Sequence, residues 1–149
     1  MARRVVPDLA VSTDVIVGFP GESDTDFGAT LEVMEEARFD QAFTFQFSPR
    51  PGTPAATMEG QVPADVVQER FDRLVEVQNR ISLQRNEEMV GRRYEVLVEG
   101  PSRKDPATVT ARTRGNKPVH YRGDDPAGSY QVVEIERAAP HHLMGRWVP

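Results

Sequence analysis

The sequence predicts an α/β segment followed by an all-β segment: part of a (β/α) barrel, comprising one βαβ unit and a long helix, and then a small closed five-stranded β-barrel. Three observations carry this. A continuous, largely apolar run at residues 14–19, DVIVGF, ends in a turn with Pro20 between Gly18 and Gly21 and passes at once into a helical pattern. Residues 63–91 hold helical periodicity over a long charged stretch. Beyond Gly91 the period changes to two, in short runs separated by Gly, Pro, Asp and Asn.

In chain order, residues 14–19 are short, β-branched and continuous, the pattern of a parallel strand buried on both faces. Ser23 and Asp26 then match a capping box, and Phe27, Leu31 and Met34 keep one apolar stripe along a helix that ends at Asp40. In AFTFQFSPRPGTPAA, Phe43, Phe45 and Phe47 point one way and Thr44 and Gln46 the other, until prolines and Gly52 force a loop. A second helix begins at Pro63, where proline fits the first helical position and Asp65 suits the positive end of the dipole, and runs to Gly91. Val67, Phe71, Leu74 and Ile81 lie near one face of it, so it packs on one side only. Five alternating runs follow, RRYEVLVE, ATVTARTRG, PVHYRG, SYQVVEIERA and HLMGRWV; five strands in so short a length fit a closed barrel of the oligonucleotide-binding kind, which removes its own edges. The first half has no such solution. A (β/α) barrel takes roughly 250 residues to close, so the strands that cover its sheet are expected upstream of Met1.

Composition bounds the function. A chain of 149 residues, 38% hydrophobic and 28% charged, is one ordinary domain or two small ones, and neither its profile nor its N-terminus suits a disordered, membrane-spanning or secreted protein. A cytoplasmic location is expected. The absence of cysteine excludes a disulfide framework, a thiol nucleophile and thiolate ligands for zinc or an iron–sulfur cluster. The net charge of −5 conceals an asymmetry: residues 1–86 carry 14 acidic and 8 basic side chains, residues 87–149 carry 9 and 10. A local basic face on the second half suits a polyanion, or is simply a solvated surface. His141 and His142 are adjacent, without the spacing of a helical metal pair, and no metal site is expected; Trp147 is assigned to the core.

Five stretches are specific enough to carry a resemblance. STDVIVGFPGESDTDF, ARFDQAFTFQFSPRPGTPAA, QVPADVVQERFDRLVEVQNRIS, VGRRYEVLVEGPSRKDP and RTRGNKPVHY resemble, in that order, the C-terminal part of the MiaB-type tRNA methylthiotransferases, a radical-SAM family. The resemblance implies a tRNA-2-methylthio-N6-isopentenyladenosine synthase acting on adenosine 37, beside the anticodon. It divides the chain into residues 1–86, the end of the radical-SAM barrel with its connecting helix, and residues 87–149, a TRAM domain that binds RNA. FSPRPGTPAA after a GFPGE strand is shared with the RimO-type enzymes that modify a ribosomal protein, whereas GPSRKDPATVTARTRGNKPVHY and Arg50 favour the tRNA-modifying branch.

The departure from the family bears on chemistry. Full-length members hold two 4Fe-4S clusters on six cysteines, one set in a CxxxCxxC loop, and use S-adenosyl-L-methionine; this chain has none of those cysteines. It therefore reads as a C-terminal fragment, catalytically inactive alone, whose partners are the missing N-terminal part of the enzyme and the anticodon arm of tRNA, with neither membrane nor DNA. The alternatives are a stand-alone TRAM-type RNA-binding adaptor and a fragment of a RimO-type enzyme.

Within the resemblance, the barrel-facing side of the first two strands lines the cofactor pocket. Ile16 and Gly18 are expected at the adenine side, Gly18 because a missing side chain lets a flat ring approach the backbone. Thr44 and Gln46 supply the polar face of the next strand, or hydrogen-bond within the barrel, and Asp14 is read as structural. Arg50, in the loop leaving that strand, is placed to hold phosphate in a bidentate fork, or is a surface residue. Arg112, Arg114, Asn116, Lys117 and Tyr121 are assigned to RNA, since they mix positive charge with an aromatic ring along one hairpin, and Arg103 and Lys104, of the same basic stretch, are assigned with them.

Overall fold

The computed structural model describes residues 2–103 and 105–149, and the chain divides into two compact units, Val11–Ile81 and a second formed by the residues up to Ala10 together with Ser82–Pro149. The division falls inside the longest helix.

In the first unit, β1 (Ser12–Val17) pairs in parallel with β2 (Gln41–Gln46) through the helix α2 (Asp24–Ala37), the predicted βαβ unit. A short helix, α1 (Ala2–Val5), precedes it in the chain and clusters with the second unit. The capping box forms as the sequence predicts: Asp26 N–H donates to Ser23 Oγ at 3.2 Å, and Ser23 N–H donates to Asp26 Oδ2 at 2.9 Å. These bonds lower the Asp26 carboxyl below its ordinary range, the Ser23 side chain being the largest cause. The helix ends before the predicted Asp40, because Arg38 takes a left-handed conformation (φ 47°) as its C-cap.

The third helix, α3 (Ala64–Glu87), opens after Pro63 as predicted. Val17, Phe27, Met34, Val67, Leu74 and Ile81 form the core between the helices and one face of the sheet. A buried arginine ties this core to the turn after β1. Arg70 on α3, 5% exposed, donates to Glu22 Oε2 at 2.7 Å, to the Glu22 carbonyl at 3.0 Å and to Asp24 Oδ1 at 2.8 Å. Its guanidinium also lies 5.7 Å from the centroid of the Phe27 ring, and Glu22 in turn accepts from Gly18 N–H at 2.8 Å. The GFPGE turn is thus fixed by charge-assisted bonds.

In the second unit, five strands close into a barrel: β3 (Arg93–Pro101), β4 (Thr108–Thr113), β5 (Pro118–Arg122), β6 (Tyr130–Ala138) and β7 (Leu143–Trp147), in the order β3-β4-β5-β7-β6. All neighbours are antiparallel except β5 and β7. Closure leaves no free edge. Val96, Val98, Val109, Ala111, Val119, Val133, Ile135 and Leu143 fill the interior from alternate positions, as a period of two requires. Gly145 is needed where β6 and β7 meet, since a Cβ there would lie 2.7 Å from the Glu134 carbonyl oxygen. The end of α3 is held to the barrel by Asn86, whose amide donates to the Ala139 carbonyl at 2.7 Å.

The two-part α/β plus all-β architecture is therefore the predicted one. Trp147 departs from expectation: it is 49% exposed, with its indole N–H donating to Gln131 Oε1 at 3.0 Å.

Candidate nucleic-acid interface

The register of β1 and β2 settles which side chains share the face turned away from the helices. Ile16 pairs with Phe45 and Asp14 with Phe43, so these four lie together, and Ile16, Phe43 and Phe45 are half-exposed. Thr44 and Gln46 lie on the opposite face, with Val15 and Val17. Gln46 turns to α3 and donates from Nε2 to Gln68 Oε1 at 2.8 Å. The expectation that Thr44 and Gln46 line the same pocket as Ile16 is thus corrected, because strand parity sends them to the helix side.

Gly18 also has a different reason to be glycine. Its φ is +77°, and a Cβ there would meet Val67 Cγ2 at 2.5 Å, so it permits the turn and the close approach of α3. Its amide is engaged by Glu22. Fitted against a nucleoside cofactor, the open face offers Ile16, Phe43, Phe45 and one carboxylate, Asp14, which is too few polar partners to make an adenosylmethionine site from this chain's residues. No residue replaces the thiolates an iron–sulfur cluster needs. Arg50 is exposed in the loop after β2, its carbonyl accepting from Thr53 N–H at 3.1 Å.

In the barrel, the basic residues separate into two groups. Arg112 points outward from β4, between the buried Ala111 and Thr113, and Arg114 is exposed in the turn that follows the strand. Arg112 Nε donates to Glu99 Oε1 at 2.6 Å, and its Nη1 donates to both the carbonyl and Oδ1 of Asn116 at 3.2 Å. Asn116 serves the turn itself, at a left-handed φ of 61° that asparagine tolerates. Arg114 donates through Nε and Nη2 to Glu95 Oε1, at 3.2 and 2.7 Å, which raises its pKa further. Exposed pairs of this kind add little to stability; their effect is to hold two guanidinium planes in place.

Lys117 turns elsewhere, donating from Nζ to Asn86 Oδ1 at 2.6 Å at the end of α3. Arg103 is exposed in the loop after β3, and Lys104, also expected at the RNA, lies outside the described residues.

Tyr121 is a correction. It is 2% exposed, packed inside the barrel among Val109, Val119 and Ile135, with its hydroxyl donating to Asp125 Oδ2 at 2.9 Å. Desolvation, then that bond, pushes the hydroxyl pKa upward. It offers no ring face to a base. The most exposed aromatic of the barrel is Tyr130, 66% exposed on β6, a residue the sequence analysis does not assign to RNA. The signal was there: in SYQVVEIERA, Val133 and Ile135 point inward, so Tyr130 and Val132 point outward.

Pairing assembles these outward residues. Leu97 on β3 lies opposite Arg112 on β4 and opposite Tyr130 on β6. Glu95 lies opposite Val132 and holds Arg114. Glu95, Leu97, Arg112, Arg114 and Tyr130, with Thr113 and Asn116, line a surface groove of about 270 Å³.

Residues 87–148 match the model of the TRAM domain. The match covers the five strands and the last residue of α3. Across 95% of its length the chain is 54% identical, over 149 residues, to the tRNA-2-methylthio-N(6)-dimethylallyladenosine synthase of Thermobifida fusca, of which it covers 30%. It is 52% identical to the protein of that name from Saccharopolyspora erythraea and 53% identical to that from Mycobacterium ulcerans, covering 31% and 28% of them. The chain thus spans about three tenths of the length of these relatives. No helix among the described residues is long and apolar enough to cross a membrane.

Proposed function

We propose that this chain supplies the RNA-binding barrel, and the adjoining βαβ unit, of a cytoplasmic tRNA-2-methylthio-N6-dimethylallyladenosine synthase, and that it binds the anticodon arm of tRNA without catalysing the reaction itself. The observation that supports this most is the chain-wide identity to proteins of that name, including the barrel that matches the TRAM domain. The complete enzyme of this reading is a radical-SAM methylthiotransferase with 4Fe-4S clusters and S-adenosyl-L-methionine. Those groups are held elsewhere, since this chain has no cysteine and its open strand face is largely apolar. The chain's own contribution is to grip and position RNA. Its arginines hold phosphate, and the barrel presents them on a rigid surface.

A titration of the whole chain with an anticodon stem-loop at several salt concentrations tests this. Affinity should fall as salt rises, each phosphate contact contributing about 0.7–0.9 to the log–log slope, and Arg114→Ala should lower that slope. Absence of salt-dependent binding contradicts the reading.

A further inference from the structure

The groove on the outer face of β3, β4 and β6 combines three features: an apolar floor, an exposed aromatic ring and two oriented guanidinium groups. Its floor is Leu97, with the Tyr130 ring beside it in the register of β6. Its wall is formed by Arg112 and Arg114, one on each side of the turn-forward strand position Thr113. Both guanidinium groups are oriented by carboxylates yet keep donors in hand. Arg112 engages Nε and Nη1, leaving the two N–H groups of Nη2; Arg114 engages Nε and one N–H of Nη2, leaving the Nη1 pair. The side chain of Arg114 is 87% exposed, so those donors face solvent.

An apolar floor with an exposed ring and two pre-oriented guanidinium groups is complementary to one chemistry. A flat, neutral heterocycle covers Leu97 and stacks on Tyr130, while the anionic links on either side of it meet the arginines. A duplex cannot place a base there, because its bases are already stacked on one another. A free anion would use the arginines alone and leave the ring bare.

We propose that this groove seats one unpaired nucleobase of a single-stranded RNA segment, with Tyr130 as the stacking platform and Arg112 and Arg114 holding the flanking phosphates. The inference rests on the RNA-binding reading above and gives that reading its specific contact: the barrel selects unpaired over paired nucleotides through Tyr130.

The test compares the whole chain with its Tyr130→Ala and Tyr130→Phe variants, using a hexameric oligouridylate and a blunt RNA duplex as probes over a salt series. Thermal melting confirms that the variants fold, as is expected for a side chain so exposed. Tyr130→Ala should weaken oligouridylate binding by about 5- to 150-fold, the span of one base–aromatic stack, with the salt slope unchanged. Tyr130→Phe should bind like the parent, and duplex affinity should not respond to either change. If the parent binds the oligouridylate and Tyr130→Ala binds equally well, or if the duplex loses as much affinity as the single strand, the nucleobase seat is wrong while RNA binding by the barrel stands. If the parent binds neither probe, both readings fall together.

Discussion

Tyr121 and Tyr130 differ in strand parity, and parity alone gives them opposite roles. Tyr121 shares its side of β5 with Val119 and is sealed in the barrel, whereas Tyr130 shares the outer side of β6 with Val132. The alternation was legible in PVHYRG and SYQVVEIERA. A hairpin rich in Arg and Lys drew attention to Tyr121 instead, because charge reads directly from sequence and inside–outside assignment requires a reference residue. The consequence is measurable: Tyr121→Ala should destabilise the chain by about 3–5 kcal/mol, the cost of emptying a buried aromatic site, seen as a lowered midpoint in denaturant. A stable Tyr121→Ala variant with impaired RNA affinity would favour a surface role for this residue after all. Gly18 teaches the same lesson at a second position. Its presence after a strand was visible, but the side chain it makes room for, Val67, belongs to a distant helix.

Elements were more legible than faces. The capping box, the proline-initiated long helix and all five barrel strands follow from local periodicity, and each forms where the residues predict it, give or take end residues. The face that β1 and β2 show to the helices was not legible, since a strand with apolar residues at successive positions, and a partner with phenylalanine on one side only, leave two assignments open until the core is known. Within the barrel, β5 carries a pH-sensitive site. The imidazole of His120 lies 5.4 Å from that of His142, and its Nδ1 is 3.3 Å from Thr110 Oγ1. Burial first, then His142, lowers the His120 pKa from its usual 6.5, with Glu99 opposing them. A depressed pKa means that the folded state takes up its proton later than the unfolded chain as pH falls. The stability associated with the neutral imidazole is complete above about pH 6.5 and is lost as pH drops through the folded-state pKa. Melting temperatures measured between about pH 7.5 and pH 5.5 should therefore fall less steeply for His120→Gln than for the parent. Parallel curves would remove His120 from the account.

For the whole molecule, the division into an α/β part and a barrel was legible because strand and helix patterns alternate up to Gly91, whereas beyond it only the strand period of two continues. The surface proposed for RNA was only partly so. Of the basic residues, Arg112 and Arg114 reach the groove with Asn116 at the turn, but Lys117 is drawn to Asn86 on α3, and the carboxylates of Glu95 and Glu99 that orient the arginines stood in a different strand. Pairing of charges across strands is a tertiary fact, and a count of basic residues overstates the positive field that results. Binding should accordingly depend on a few oriented donors and one ring more than on net charge, which is negative. The most direct measurement is residue-resolved NMR of the whole chain titrated with an anticodon stem-loop. The account predicts that perturbations concentrate on Leu97, Arg112, Arg114, Tyr130 and Val132 while the amides of Val11–Ile81 stay largely unmoved. Perturbations confined to Val11–Ile81, or none at saturating RNA, would contradict it.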